Sequence, residues 1–253
     1  MSLHARWTTG PGPFWVHQLR PGDPYELSDG HPIYCPPAGR VRRSLRRLAA
    51  MVISTDPDVE SAGIDAGFEL SRKTLRAPDV AVDVPDQPGW VKGPPRLAVE
   101  YVALDSDSYE VEKKIQDLLI AGTKWVWVVR FEGAQHAEVH EKGKQPHRRN
   151  LGDSLEAPGV LRNSVPVEAL FDRQAARQAM LENLLQREGI KRGIQHAILV
   201  VLESRGVPVS DETRARIAAE SHPGVLEKWI SRAAVATSER DVFLEPELEN
   251  RSF

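Results

Sequence analysis

Apolar residues run almost unbroken from Leu97 to Leu104, as Leu-Ala-Val-Glu-Tyr-Val-Ala-Leu, with a single charge, Glu100, inside the run. A run of this kind predicts a strand covered on both faces. Trp125 to Phe131 predicts a second such strand, with its tryptophans in the core. Shorter apolar segments predict strands over 64–70 and from Asp79 to Val82, and alternation predicts one over His136–Glu141. Tyr25-Glu26-Leu27-Ser28 and Pro32-Ile33-Tyr34-Cys35 flank Asp29-Gly30, the pattern of a hairpin. Val41, Leu45, Leu48 and Val52 recur at i, i+4, i+7 and i+11 and predict a helix over 41–54; a further helix runs from Ser108 to Ala121 and breaks at Gly122. Residues 143–150 read as a polar loop, and the chain closes through Val165-Pro166-Val167 into Leu170-Phe171. Strands alternating with helices make residues 1–171 an α/β domain, with 1–20 as a lead-in.

From about Asp172 the pattern is helical throughout. Met180, Leu181, Leu184 and Leu185 form one amphipathic stretch, and Ile194, Ile198, Leu199 and Leu202 form another. Ser210-Asp211-Glu212-Thr213 starts a helix, and Val225, Trp229, Ile230 and Ala233 mark the next. Residues 172–253 are therefore an all-helical C-terminal region ending in a polar tip over 245–250. Helices of this length gain most of their stability from packing, so their apolar faces are expected to be covered within the chain or by a second copy.

Composition narrows the function classes. The 253 residues carry a formal net charge of -3, so any contact with nucleic acid must use a local basic patch. One cysteine, Cys35, excludes a disulfide framework and a cysteine-based zinc site. No apolar stretch has the length of a signal peptide core or a membrane span, which points to a cytoplasmic protein without membrane contact.

The candidate chemistry starts from Glu100. An unpaired carboxylate in a doubly covered strand costs several kcal/mol, so it calls for a charged partner or a metal. Asp79, at the start of another strand, and Lys114, in the helix after Glu100, are the candidates. At roughly 100° per residue, Lys114 lies on the flank of the apolar face formed by Val111, Ile115, Leu118 and Leu119, while Lys113 points away from it. From the flank a lysine can carry its amine to the end of the sheet. The bland alternatives are a pairing of Lys114 with Asp117 or Glu110, and of Glu100 with Arg76 or Arg96. Glu69, in the strand before Asp79, is an additional candidate metal ligand or an ordinary surface acid. Arg40, Arg43 and Arg47, extended by Arg42 and Arg46, make a basic helix face that suits phosphates or simply faces water. His136, Glu138 and His140 share a strand face, which alternation of polar residues toward water explains without a metal.

Several segments together resemble the Uma-two family of restriction-endonuclease-like proteins, within the PD-(D/E)xK nuclease superfamily. They are Tyr25 to Gly30, Ala66-Gly67-Phe68, Arg76 to Val82, Leu97 to Tyr101, then Lys114, Leu118, Gly122 and the strand Trp125 to Val129, spanning roughly residues 20–171. The resemblance implies a restriction-endonuclease-like mixed central sheet flanked by helices. It also implies metal binding by Asp79 and Glu100, with the catalytic lysine moved to the following helix as Lys114, since Val102 stands at its more usual place. Leu118 replaces a usual tyrosine, Leu104-Asp105-Ser106-Asp107 replaces a usual Ser-Pro-Ser, and a first-helix histidine has no counterpart.

Two functions follow from this reading. One is a metal-dependent endonuclease acting on DNA, in which Asp79 and Glu100 hold Mg²⁺, or Mn²⁺, and Lys114 orients or deprotonates water and offsets transition-state charge. The other is a catalytically weak or inactive relative that binds nucleic acid or protein. A homodimer, through the nuclease domain or the helical region, would suit an enzyme that cuts both strands of a duplex.

Overall fold

The computed structural model describes residues 12–104 and 106–244. The start of the lead-in, Asp105 and the tip over 245–250 lie outside the described residues. The chain divides into two compact units, Met1–Leu184 and Leu185–Phe253.

The first unit is mixed α/β. A hairpin of β1 (Tyr25–Ser28) and β2 (His31–Tyr34) precedes helix α1 (Arg40–Thr55). Strands β3 (Ala62–Ile64), β4 (Phe68–Ser71), β5 (Thr74–Arg76), β6 (Val80–Val82), β7 (Val91–Lys92) and β8 (Leu97–Val102) follow. Helix α2 (Ser108–Ala121) then leads to β9 (Trp125–Arg130), β10 (His136–Glu141), β11 (His147–Asn150), β12 (Ser154–Leu155) and β13 (Val165–Pro166). The central sheet has the order β11-β10-β9-β8-β6-β3, and a second sheet has the order β2-β1-β5-β4-β7.

β8 lies inside the central sheet and is buried at every position. It pairs parallel with β9, Glu100 opposite Val128, and antiparallel with β6. A parallel pair needs a crossover, and α2 supplies it. Asp107 caps α2 by accepting from the Tyr109 N–H at 2.9 Å, and Gly122 ends it with φ at 119°, the left-handed conformation that favours glycine. The two faces of β8 meet different layers. Leu97, Val99 and Tyr101 join the large core with Ala49, Val52 and Ile53 of α1, whereas Ala98 and Val102 pack with Ile115, Leu118 and Leu119 of α2.

Three elements differ from the sequence reading. The single strand expected over 64–70 is two strands in different sheets, β3 and β4, because Asp65 takes a positive φ of 54° and Gly67 lies against the Trp90 ring. Any side chain at 67 would meet that ring at 2.5 Å. The polar segment 143–150 contains β11, whose backbone completes the edge of the sheet against β10. The buried stripe of α1 is carried by Arg46, Ala49, Val52 and Ile53, while Val41 is 64% exposed, so the stripe is turned from the expected one.

Helix α3 (Arg173–Ser204) begins just after residue 171. The first unit runs on to Leu184 because Ala176, Ala179 and Met180 pack on the main core and Asn183 donates to the Val52 carbonyl at 3.1 Å. In the second unit, the end of α3 packs with α4 (Asp211–Ala219) and α5 (Pro223–Ala233) through Ile198, Leu202, Ile217, Leu226 and Trp229. Within the chain, Leu181, Leu184 and Leu185 remain exposed, and Leu199 is half-buried. No helix among the described residues is long and apolar enough to cross a membrane.

Candidate active site

Asp79 stands one residue before β6. The pairing of Val80 with Val99 and Ala81 with Ala98 continues in register to place Asp79 beside Glu100. The Tyr101 N–H donates to Asp79 Oδ2 at 2.8 Å, which ties the aspartate to the strand carrying the glutamate. Glu100 sits between Ala98 and Val102 on the α2 side of the sheet, and α2 delivers Lys114 to it. Nζ of Lys114 lies 2.7 Å from Glu100 Oε1 and 2.9 Å from Glu26 Oε1, and donates to the Ala77 carbonyl at 2.8 Å. The Glu100 contact is an ion pair; Oε1 itself has no donor in hydrogen-bonding geometry. Asp79, Glu100, Lys114 and Glu26 line one cavity of about 610 Å³.

Neither bland pairing is present. Arg76 donates to Asp117 at 2.7 and 2.9 Å and to Glu26 at 3.2 Å, and Arg96 pairs with Asp83 at 2.8 Å. Lys113 pairs with Asp117 at 2.8 Å and with Asp29 at 3.1 Å, outside the Glu100 pair.

Burial dominates the electrostatics. It pushes the Glu100 carboxyl up to about 7, opposed by Lys114 and reinforced by Asp79 and Glu26. Burial alone would lower the Lys114 ammonium, but Glu100, Glu26 and Asp79 outweigh it and hold it above its ordinary value. Lys114 is therefore a charged donor at neutral pH and a poor base. Cys35 also lines the cavity, yet burial and Glu26 push its thiol up to about 12, so it is not a thiolate nucleophile.

Four cavity-lining residues carry weight that the sequence did not assign: Glu26, Arg42, Arg46 and Arg76. Arg42 donates to Asp79 through Nε and Nη2 at 3.0 to 3.2 Å, and Arg46 pairs with Asp79 through Nη2 and with Asp65 through Nη1 at 2.8 Å. The signal for the arginines was present: Arg42, Arg46, Ala49 and Ile53 fall at i, i+4, i+7 and i+11. An arginine on a buried stripe, as Arg46 is, requires a buried acid. Glu26 and Arg76 lie in the second sheet, on β1 and β5, and only tertiary folding brings them here.

The remaining candidates lie elsewhere. Glu69 pairs with Lys92 and lines a separate depression with Trp15, His17 and Arg72. Arg40, Arg43 and Arg47 are exposed on α1. His136 and His140 contact Glu138 at 3.5 and 3.7 Å, and no group of three or more metal-ligating side chains occurs among the described residues.

The arrangement is that of a restriction-endonuclease-like fold, with acids at neighbouring strands and a lysine on the crossover helix. The family Uma2, described as "Putative restriction endonuclease", matches residues 15–168, and the chain belongs to it. The crystal structure of a putative nuclease belonging to DUF820 from Anabaena variabilis ATCC 29413 is similar, with a TM-score of 0.52 and 17% identity over 63% of this chain and 96% of that one. No curated protein matches the sequence.

Proposed function

We propose that this protein is a nuclease that hydrolyses phosphodiester bonds in DNA with the help of Mg²⁺, or of Mn²⁺ in its place. The observation that carries the reading is the convergence of Asp79, Glu100 and Lys114 from two strands and a helix on one cavity. The donor set fits a hard cation, which takes one or two carboxylates and keeps several waters. Asp79 and Glu100 would hold it, with the Lys114 amine 2.7 Å from Glu100 Oε1. When bound, such a cation polarises the phosphate and makes water a stronger nucleophile.

The chain's own residues do the rest. Lys114, kept protonated by its acidic neighbours, donates to a phosphate oxygen or to the attacking water and offsets developing negative charge. Glu26 and the Ala77 carbonyl fix the direction of its amine. Arg76 and Asp117 hold Glu26 in place from behind. The exposed Arg40, Arg43 and Arg47 supply phosphate contacts along α1. Two copies acting together would suit a duplex, and exposed Leu181, Leu184 and Leu185 offer a surface for self-association.

One observation favours a second reading, a DNA-binding module without cleavage: Asp79 is already neutralised by Arg42 and Arg46. A cleavage assay on single- and double-stranded DNA with Mg²⁺, Mn²⁺ or a chelator decides between them. The nuclease reading expects metal-dependent cleavage that is lost in Glu100→Gln and Lys114→Ala. Binding without cleavage under every condition sinks it.

A further inference from the structure

Asp79 has no acceptor direction to spare. A carboxylate offers about four lone-pair sites over its two oxygens. Oδ2 accepts from Arg42 Nε at 3.1 Å, Arg42 Nη2 at 3.0 Å and the Tyr101 N–H at 2.8 Å, while Oδ1 accepts from Arg42 Nη2 at 3.2 Å and faces Arg46 Nη2. The surrounding acids are also occupied by cations. Each of Glu26, Asp29, Asp65, Asp79, Glu100 and Asp117 faces at least one of Arg42, Arg46, Arg76, Lys113 and Lys114. A divalent cation added to this cluster would meet guanidinium groups at like-charge distances, and Asp79 could bind it only by giving up one of them.

The two arginines are not equally free to leave. The Arg46 side chain is 9% exposed and is tied to Asp65 as well. The Arg42 side chain is 33% exposed, borders the same cavity, and among the described residues its side-chain hydrogen bonds all go to Asp79. Its fork geometry suits a phosphate as well as a carboxylate.

We infer that Arg42 is an exchangeable phosphate ligand: it occupies Asp79 while the cation is absent, and passes to a phosphate of the nucleic acid when a divalent cation takes Asp79. Cation and nucleic acid then bind cooperatively, because each removes what opposes the other. The inference rests on the reading of Asp79 and Glu100 as cation ligands.

Calorimetric titration of Mn²⁺ into the full chain, with and without a phosphorothioate DNA duplex, tests it. Arg42→Gln is expected to bind Mn²⁺ roughly tenfold more tightly than the unaltered protein, since the cation no longer competes with a charged hydrogen bond. The duplex is expected to raise Mn²⁺ affinity of the unaltered protein by about 5-fold or more and that of Arg42→Gln much less. Arg42→Lys, which keeps the charge and loses the fork, is expected in between, and melting curves of both variants establish that they fold. If Mn²⁺ binds the unaltered protein and Arg42→Gln equally well, or the duplex helps both alike, the exchange is refuted and the cation reading stands. If neither protein binds Mn²⁺, the cation reading fails and the exchange with it.

Discussion

Lys114 and Glu100 sit on a helix and on a buried strand, yet Nζ of the lysine lies 2.7 Å from Oε1 of the glutamate. The same amine reaches Glu26 on the second sheet at 2.9 Å. One ammonium thus faces two buried carboxylates, and its removal leaves Glu100 without a counter-charge and Glu26 with Arg76 alone.

Lys114→Ala is expected to abolish cleavage and also to lower stability, by up to roughly 3–5 kcal/mol, the range for breaking a buried pair. Lys113→Ala removes a pair with exposed Asp29 and one with Asp117, which keeps Arg76 and Ser28, and is expected to cost about 1 kcal/mol, with cleavage retained. Denaturant melts beside cleavage rates below the transition separate the two effects. Equal losses of activity from both substitutions would contradict the assignment of Lys114.

Arg43 and Arg47 are exposed on α1, away from the Asp79 pair. If they follow the phosphates, log affinity for DNA falls linearly with log salt, and Arg43→Ala with Arg47→Ala flattens that slope by just under about 2. An unchanged slope in the double variant would return these residues to the solvated surface.

Asp117 gives a pH prediction. Burial raises its pKa, but hydrogen bonds from Lys113, Arg76 and Ser28 prevail and hold the carboxyl below its ordinary value of 3.8. The stability it contributes is present above that unfolded value and is lost as pH falls through the lower folded value. Asp117→Asn is therefore expected to destabilise the protein at pH 7, by about 1–3 kcal/mol. The difference should close in acid below 3.8, as chemical denaturation at both pH values would show. A gap that persists in acid would mean that the charge of Asp117 is not what stabilises the site.

Leu181, Leu184 and Leu185 are 51%, 46% and 66% exposed on α3. Sedimentation of the full chain is expected to show a dimer that grows with concentration, and Leu181→Lys with Leu185→Lys is expected to leave a monomer. A full-length monomer at high concentration would remove self-association from the account.

How much of this was legible in the chain varies by residue. Glu100 announced itself because an acid inside an apolar run has few explanations, and helical angles were enough to separate Lys114 from Lys113. A stripe read from Val41, Leu45 and Leu48 puts Arg42 and Arg46 with the outer arginines, whereas the buried stripe of α1 begins with Arg46. Periodicity reports a face, and a charged face looks solvated until its partner is known. Glu26 carried no such signal: its strand is short, and burial at 5% exposure comes from a sheet assembled between distant segments. Sequence order puts Glu69 in the strand before Asp79, but that strand belongs to the other sheet.

The crossover that joins β8 to β9 has a consequence for how variation will show itself. Because the lysine arrives on α2 and not on the strand of its glutamate, its height above the sheet is set by what lies between the layers. That spacer is Ala98, Val126 and Val128 beneath Ile115 and Leu118. The apolar filling therefore acts as a ruler for a polar distance. Enlarging Ala98 or trimming Leu118, neither of which lines the cavity, would move the ammonium relative to both carboxylates, so substitutions that look purely hydrophobic would be read by this protein as changes in chemistry.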